Sequence, residues 1–378
     1  MQATYEVADI LRKQWAEIEA YKQINSWQLR TLSAIKICRT SALGGHKDAC
    51  IECGTLNISY NSCRNRNCPK CQGKEREKWI EKRREELLPV KYFHVVFTLP
   101  DTLNQLAMYK AKEVYDALFK SAWDTLSVFA KDQKHLGAKT GMISILHTWG
   151  QQLTLHPHLH CIVPDGGLTK ANKWKQVRCE GKFLFPVKAM SKVFRAKYVS
   201  ILRSKIQNLD KHMMEDLFKK EWVVYAKRPF GTPEMVLEYL GRYTHKIAIS
   251  NHRIKSIDDK IITIAYKDYR HENQKKELDL EHLEFVRRFS MHILPKGLVR
   301  IRHYGILSST SKPKTIPIIK EQVKPEEKLP QYFEPRIMEP YNPLMCPHCK
   351  TETRVTIEIM PRRGPPTVIK RNQNSMIV

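Results

Sequence analysis

An α+β protein is what this sequence predicts: a helix-covered antiparallel or mixed sheet, preceded by a small segment that metal, not a core, holds together. Short strand-like runs lie among helical patterns and tight connections, instead of alternating regularly with helices as a parallel sheet requires. Five of the ten cysteines fall between residues 41 and 73, a stretch too poor in apolar residues to fold around its own core. The 378 residues leave room for two or three domains and at least one sizeable core.

In chain order, Tyr5, Ile10, Leu11, Trp15 and Ile18 recur at threes and fours, and a second helical pattern covers Trp27 to Ile37. Residues 1–40 are therefore amino-terminal helices, and residues 41–73 form the cysteine-dense segment. A long mixed section, 74–307, opens with a charged helix from Gly73 to Leu88. Its strand candidates are Tyr92–Leu99, Met142–Trp149, His158–Val163, Phe183–Phe185, Trp222–Tyr225, Ile247–Ser250 and Ile261–Tyr266. Helices are expected over Leu103–Ala130 and Lys192–Phe218. Residues 308–378 are proline-rich and charged and read as a linker followed by a disordered tail.

Lys and Arg total 65 against 39 Asp and Glu, a formal charge of +26. Such an excess calls for a polyanionic partner, and nucleic acid suits it better than a membrane surface, since no long basic amphipathic helix is evident. No apolar run approaches the roughly 20 residues of a membrane span, and the start MQATYEVADILRK lacks a signal-peptide core. A cytoplasmic protein is expected, with its cysteines as thiols or metal ligands.

Cys50-x-x-Cys53 and Cys68-x-x-Cys71, fourteen residues apart, can supply the four thiolates of one closed structural zinc site. A redox role needs only one such pair. Between them lies YNSCRNRN, in which Arg64 and Arg66 suit phosphate contact as well as a solvated basic loop. Cys346-Pro-His-Cys349 is a third knuckle with no partner pair: half a zinc site, a remnant or a surface feature. Cys161 and Cys38 read most simply as core residues.

His158 and His160 alternate on the apolar run of LHPHLHCIVP, so both imidazoles face one side of a strand. Burying two histidines costs enough to call for a partner, and a shared metal ion with open coordination positions answers it. Gln151, at the end of the preceding strand, is the first choice for a third ligand, and His156 the second. Imidazoles alone allow zinc, manganese, iron or nickel; a phosphate substrate pulls toward magnesium or manganese.

In EYLGRYTHK, Tyr239 and Tyr243 stand four apart, on one face of a helix that Thr232 can cap and Pro233 can begin. Paired tyrosines at this spacing are often a core stripe. Arg242, His245 and Lys246 on the same helix tilt the reading toward chemistry, because cations there can meet phosphates or lower a phenol's pKa.

Taken together, HKDACIECG…YNSCRNRNCPKCQ, YFHVVFTLP, HPHLHCIVPDGG, EYLGRYTHKIAISNHRI and IRHYGILSS resemble the two-tyrosine transposases of the HUH endonuclease superfamily, which move insertion sequences by rolling-circle transposition. The resemblance covers about residues 40–310. It implies a ferredoxin-like antiparallel sheet with the tyrosine helix beside the histidine strand, and an amino-terminal zinc-binding domain. It further implies His158 and His160 as the metal pair and Tyr239 and Tyr243 as nucleophiles that form a 5′-phosphotyrosine link on single-stranded DNA. Asn67 departs from relatives that often carry histidine there, which counts against a second zinc. Two other classes stay open at this point. One is a rolling-circle replication initiator or relaxase, though no GxxxxGK[ST] loop marks a fused helicase. The other is a non-enzymatic zinc-dependent DNA-binding regulator.

Overall fold

The computed structural model describes residues 3–71, 86–177, 184–230, 235–236, 247–268, 271–323, 342–362 and 367–368. Three helices begin the chain: α1 (Val7–Lys13), α2 (Trp15–Ala20) and α3 (Ser26–Lys36). Asn25 starts the third, its side chain accepting the Gln28 N–H while the Gln28 side chain accepts the Asn25 N–H, both at 2.9 Å. Strands β1 (Gly45–Cys50) and β2 (Leu56–Tyr60) form a hairpin over the first cysteine knuckle.

The middle of the chain follows with β3 (Tyr92–Thr98), α4 (Asn104–Tyr109), α5 (Ala111–Lys131), β4 (Gly141–Trp149) and β5 (Leu155–Pro164). A small ribbon, β6 (Gly166–Leu168) with β7 (Trp174–Gln176), leads to α6 (Val187–Lys205), α7 (Lys211–Lys219) and β8 (Val224–Phe230). Next come β9 (Ile254–Ile257), β10 (Ile261–Asp268), β11 (Gln274–Glu281), α8 (His282–Ser290), β12 (Ile301–Gly305) and α9 (Lys312–Gln322). Two strands, β13 (Arg354–Met360) and β14 (Thr367–Val368), come last.

The central sheet has the order β12-β4-β5-β3-β8, antiparallel throughout. Alternation sorts its side chains. Phe93, Val95, Phe97, Met142, Leu146, Leu159, Cys161 and Val163 bury against α5 and α6, in a core shared with Phe119, Leu126, Phe194 and Tyr198. The opposite face carries His94, Ile143, Ile145, His147, His158, His160 and Ile162. There the three isoleucines pack with Leu88, Val236, Ile306 and Ile319. Register matters because a slip of one residue would turn every histidine into the apolar core. A second core joins α1 and α3 to β9, β10 and α8, with Cys38, Cys68 and Cys71 inside it. This is the helix-backed antiparallel sheet and cysteine-rich amino-terminal unit that the sequence predicts.

Several elements differ from expectation. Lys110 breaks the helix expected over Leu103–Ala130 into α4 and α5. The one expected over Lys192–Phe218 divides because Asp210 caps α7, its carboxylate accepting the Met213 N–H at 2.6 Å. Ile247–Ser250 is not a strand; Ala248 and Ile249 serve the second core as irregular chain. Leu184 and Phe185 are likewise buried outside any strand, and Phe183 lies outside the described residues, as do residues 73–85 of the expected Gly73–Leu88 helix. The stretch 308–378 is not linker and tail throughout. Ile319 of α9 is fully buried against the sheet, and β13 pairs along the whole of β1. No helix among the described residues is long and apolar enough to cross a membrane.

Candidate active site

Three histidines meet on one face of the central sheet. β5 supplies His158 and His160, and antiparallel pairing sets His147 of β4 directly opposite His158. Their ligand nitrogens all lie within 4.8 Å of one another. His147 and His160 are buried and His158 is half-buried.

A hydrogen bond to a carbonyl assigns the tautomer of His158. Nδ1 of His158 is 2.7 Å from the carbonyl oxygen of His156. A carbonyl can only accept, so Nδ1 carries the proton and Nε2 keeps its lone pair. Nδ1 of His160 is 2.9 Å from Nε2 of His94, which frees His160 Nε2 in the same way when Nδ1 donates. The two Nε2 atoms then face each other at 3.1 Å. Lone pairs that close repel unless a cation lies between them. The spacing also matches two metal–nitrogen bonds of about 2.1 Å meeting near a right angle. These residues fit a divalent ion. His147, stacked on Trp149 with ring centroids 4.7 Å apart, lines the same spot.

Gln151 does not join this group. It sits in the β4–β5 turn, where strand alternation has ended, and its side-chain oxygen accepts the Lys267 N–H at 3.4 Å. Its carbonyl accepts from Arg253. His147, not Gln151, is the residue that the structure brings beside the histidine pair. His156, the second choice, is exposed and contributes its carbonyl. Reading the sequence alone misses His147 and His94. The signal for His147 is present, since ILHTW faces LHPHLH once the hairpin register is drawn. His94 in YFHVVFT leaves no comparable clue, because its partner is two strand positions away on a neighbouring strand.

Tyr239, Tyr243, Arg242 and Lys246 lie outside the described residues. Just before them, Val236 is fully buried on the histidine face of the sheet, against Ile143, Ile145 and Ile162.

The cysteines expected to form one cage are split between two. Cys68 and Cys71 gather with Cys38 and Cys63, whereas Cys50 and Cys53 face Cys346 and Cys349. The cause is β1 itself, which carries the first knuckle to its far end and away from the second. Cys38, expected as a core residue, is a cage member at the end of α3. In that first cluster the Cys38–Cys71 and Cys63–Cys71 sulfurs are 3.6 and 3.7 Å apart. A tetrahedral zinc with bonds of about 2.3 Å needs about 3.8 Å. Hydrogen bonds from Cys38, Cys63 and Cys68 pull the Cys71 thiol far down, while contacts with Cys38, Cys63 and Cys71 push Cys68 up. Four sulfurs held this close, with one of them driven toward the thiolate, suit a single zinc ion.

Of the three expected DNA contacts, Arg242 lies outside the described residues and Arg64 is exposed. Arg66 is not available: its guanidinium donates to the carbonyls of Leu298 at 2.9 Å and of Leu294 and Pro295 at 3.4 Å. It fastens the cysteine block to the loop before β12, and burial there lowers its pKa.

Two domain families match this chain. Residues 141–314 match the family described as "Putative transposase", and residues 10–99 match the "Transposase zinc-binding domain". Among curated relatives, "Putative transposase y4qJ" of Sinorhizobium fredii is 40% identical over 391 residues, spanning 96% of this chain and 97% of the relative. The "Transposase for insertion sequence element IS801" of Pseudomonas savastanoi pv. phaseolicola is 27% identical over 364 residues, spanning 88% of this chain and 85% of the relative. No solved structure matches.

Proposed function

We infer, since this chain belongs to the IS91/IS801-type family of insertion-sequence transposases, that it nicks and rejoins single-stranded DNA through a 5′-phosphotyrosine intermediate. The observation that carries this reading is the gathering of His147, His158 and His160, their ligand nitrogens within 4.8 Å of one another and the Nε2 atoms of His158 and His160 3.1 Å apart. Bound by His158, His160 and His147, a magnesium or manganese ion would neutralise charge on the scissile phosphate.

The chain's own residues divide the remaining work. A phenol oxygen of Tyr239 or Tyr243 attacks phosphorus in line; its proton is lost, the new O–P bond forms, and the 3′ oxygen leaves to become a hydroxyl. The tyrosyl phosphodiester keeps the energy of the broken bond, so a later 3′ hydroxyl reseals the strand without ATP. Arg242 and Lys246 place positive charge beside the reacting phosphate. Val236, buried on the sheet face that carries the histidines, precedes Tyr239 and Tyr243 by three and seven positions, and the four-residue spacing of the two tyrosines is the helical one that suits a shared task. Two phenols let one hold the first cleaved end while the other cuts the second junction. Arg64, with the surrounding excess of cations, supplies affinity for an unstacked strand.

Cleavage of a labelled oligonucleotide taken from the DNA flanking the gene tests the reading. His158→Ala and His160→Ala should each abolish cutting while DNA affinity stays within about threefold, because affinity comes from many phosphate contacts. Cutting by both variants, with unchanged dependence on divalent metal, refutes it.

A further inference from the structure

We propose that Cys50, Cys53, Cys346 and Cys349 form a second structural zinc site, one that locks the carboxy-terminal part of the chain onto the amino-terminal domain. Neither matched stretch, 10–99 or 141–314, reaches Cys346. The two halves of the site are 293 residues apart in sequence, counted from Cys53 to Cys346. The inference does not depend on the cleavage chemistry.

The two knuckles are built alike, bond for bond. In the first, the Gly54 N–H donates to the Cys50 carbonyl at 3.0 Å, and the Cys50 N–H to the Thr55 carbonyl at 3.0 Å. In the second, the Lys350 N–H donates to the Cys346 carbonyl at 3.0 Å, and the Cys346 N–H to the Thr351 carbonyl at 2.8 Å. Each second cysteine contacts a threonine hydroxyl two residues on, at 3.1 Å for Cys53 and 3.0 Å for Cys349. Each is followed by a residue in the left-handed region, Gly54 at φ 67° and Lys350 at φ 62°. Glycine adopts that conformation at little steric cost, whereas lysine there is strained and must be held by its surroundings.

Sulfur spacing fits one ion. Cys50 and Cys349 are 3.5 Å apart, Cys53 and Cys346 are 3.7 Å apart, and all four sulfurs lie within 4.8 Å of each other. A four-thiolate set with threonine hydroxyls behind it and no open position is the donor set of structural zinc.

The pairing does not rest on sulfur alone. β13 runs antiparallel along β1 from Gly45↔Met360 to Cys50↔Arg354. Inside that pairing, the Arg354 guanidinium bonds the Asp48 carboxylate, and the Thr356 hydroxyl donates to the same carboxylate at 2.8 Å. Both charged partners are buried, so a shift of register would leave a buried charge without its counter-ion. At the far end, Gly44 brings its backbone so close to Met360 that an added Cβ would meet the Met360 carbonyl at 2.4 Å. The amino-terminal domain is thus shaped to receive β13.

Zinc counting in the full-length chain decides the matter, done in a His158→Ala/His160→Ala background so that no ion at the histidines is counted. Elemental analysis should find two zinc ions per chain. Cys346→Ser/Cys349→Ser should lower this to one and speed amide exchange across residues 354–360. A cysteine-intact chain holding one zinc, iron in place of zinc, or two zincs retained by the double variant overturns the proposal. Should that variant fail to fold, cobalt substitution of the cysteine-intact chain replaces it. Thiolate-to-cobalt absorbance equal to two four-thiolate ions per chain supports the site, and absorbance equal to one overturns it.

Discussion

His94 Nε2 lies 2.9 Å from His160 Nδ1, with the ring planes within 10° of parallel. His94 is buried, on the strand next to His160. A ring partner of this kind sets which nitrogen of a metal-binding histidine keeps its lone pair, and holds the ring in place. If His160 binds the proposed ion, His94 is placed to position it. His94→Ala should weaken manganese binding by about 10- to 100-fold, the usual cost of losing such a partner. His94→Gln keeps a hydrogen-bonding group and should recover part of the loss. Manganese titration with a spectroscopic readout distinguishes this from a packing role, in which neither variant changes the metal.

His147 and Gln151 give opposite expectations. Removing a third imidazole should lower metal affinity sharply, so His147→Ala behaves like His158→Ala in the same titration. Gln151→Ala should leave the metal unchanged, because that side chain bonds the Lys267 N–H instead. The reverse result would restore Gln151 as the ligand.

How far these residues were legible in the sequence depends on what each signal measures. Alternation within one strand is local, so His158 and His160 could be read directly. His147 needed the register of a hairpin, which only the pairing of β4 with β5 supplies. Spacing between knuckles pointed to zinc ligands but not to how the thiols divide, because chain separation says nothing about the direction of β1. The expected linker concealed β13, whose partner is some 300 residues upstream: Cys50 pairs with Arg354. Arg66 looked like a DNA contact because composition cannot show that a guanidinium already meets three carbonyls.

Arg64 and Arg66 should separate cleanly. Arg64→Ala should reduce affinity for single-stranded DNA and lower the slope of log affinity against log salt by about one. Arg66→Ala should leave that slope alone and cost about 2 kcal/mol of stability, since it removes charge-assisted bonds to buried carbonyls. Salt-dependent binding and urea unfolding of the two variants provide the check.

Acid should loosen the second core through His292. Burial pushes its pKa down to about 4 from 6.5. Its Nε2 meets the Leu153 carbonyl at 3.1 Å, and its Nδ1 lies 3.1 Å from the Thr148 hydroxyl, a pattern that suits the neutral ring. Between pH 6.5 and 4 the unfolded chain binds the proton and the folded one does not. Stability is therefore fully present above pH 6.5 and falls by on the order of 3 kcal/mol as pH drops toward 4. In His292→Gln the loss across this window should be smaller by that amount. Urea midpoints of the two proteins at pH 7.5 and 4.5 measure the difference, and parallel falls would remove His292 as the cause.

The most direct test of the central claim is a denaturing gel of the protein after reaction with a labelled single-stranded oligonucleotide from the flanking DNA, run with and without manganese. The account predicts a covalent band that needs the ion, persists in Tyr239→Phe and in Tyr243→Phe, and is absent from the double tyrosine variant and from His158→Ala. A covalent band that forms in the double tyrosine variant would contradict it.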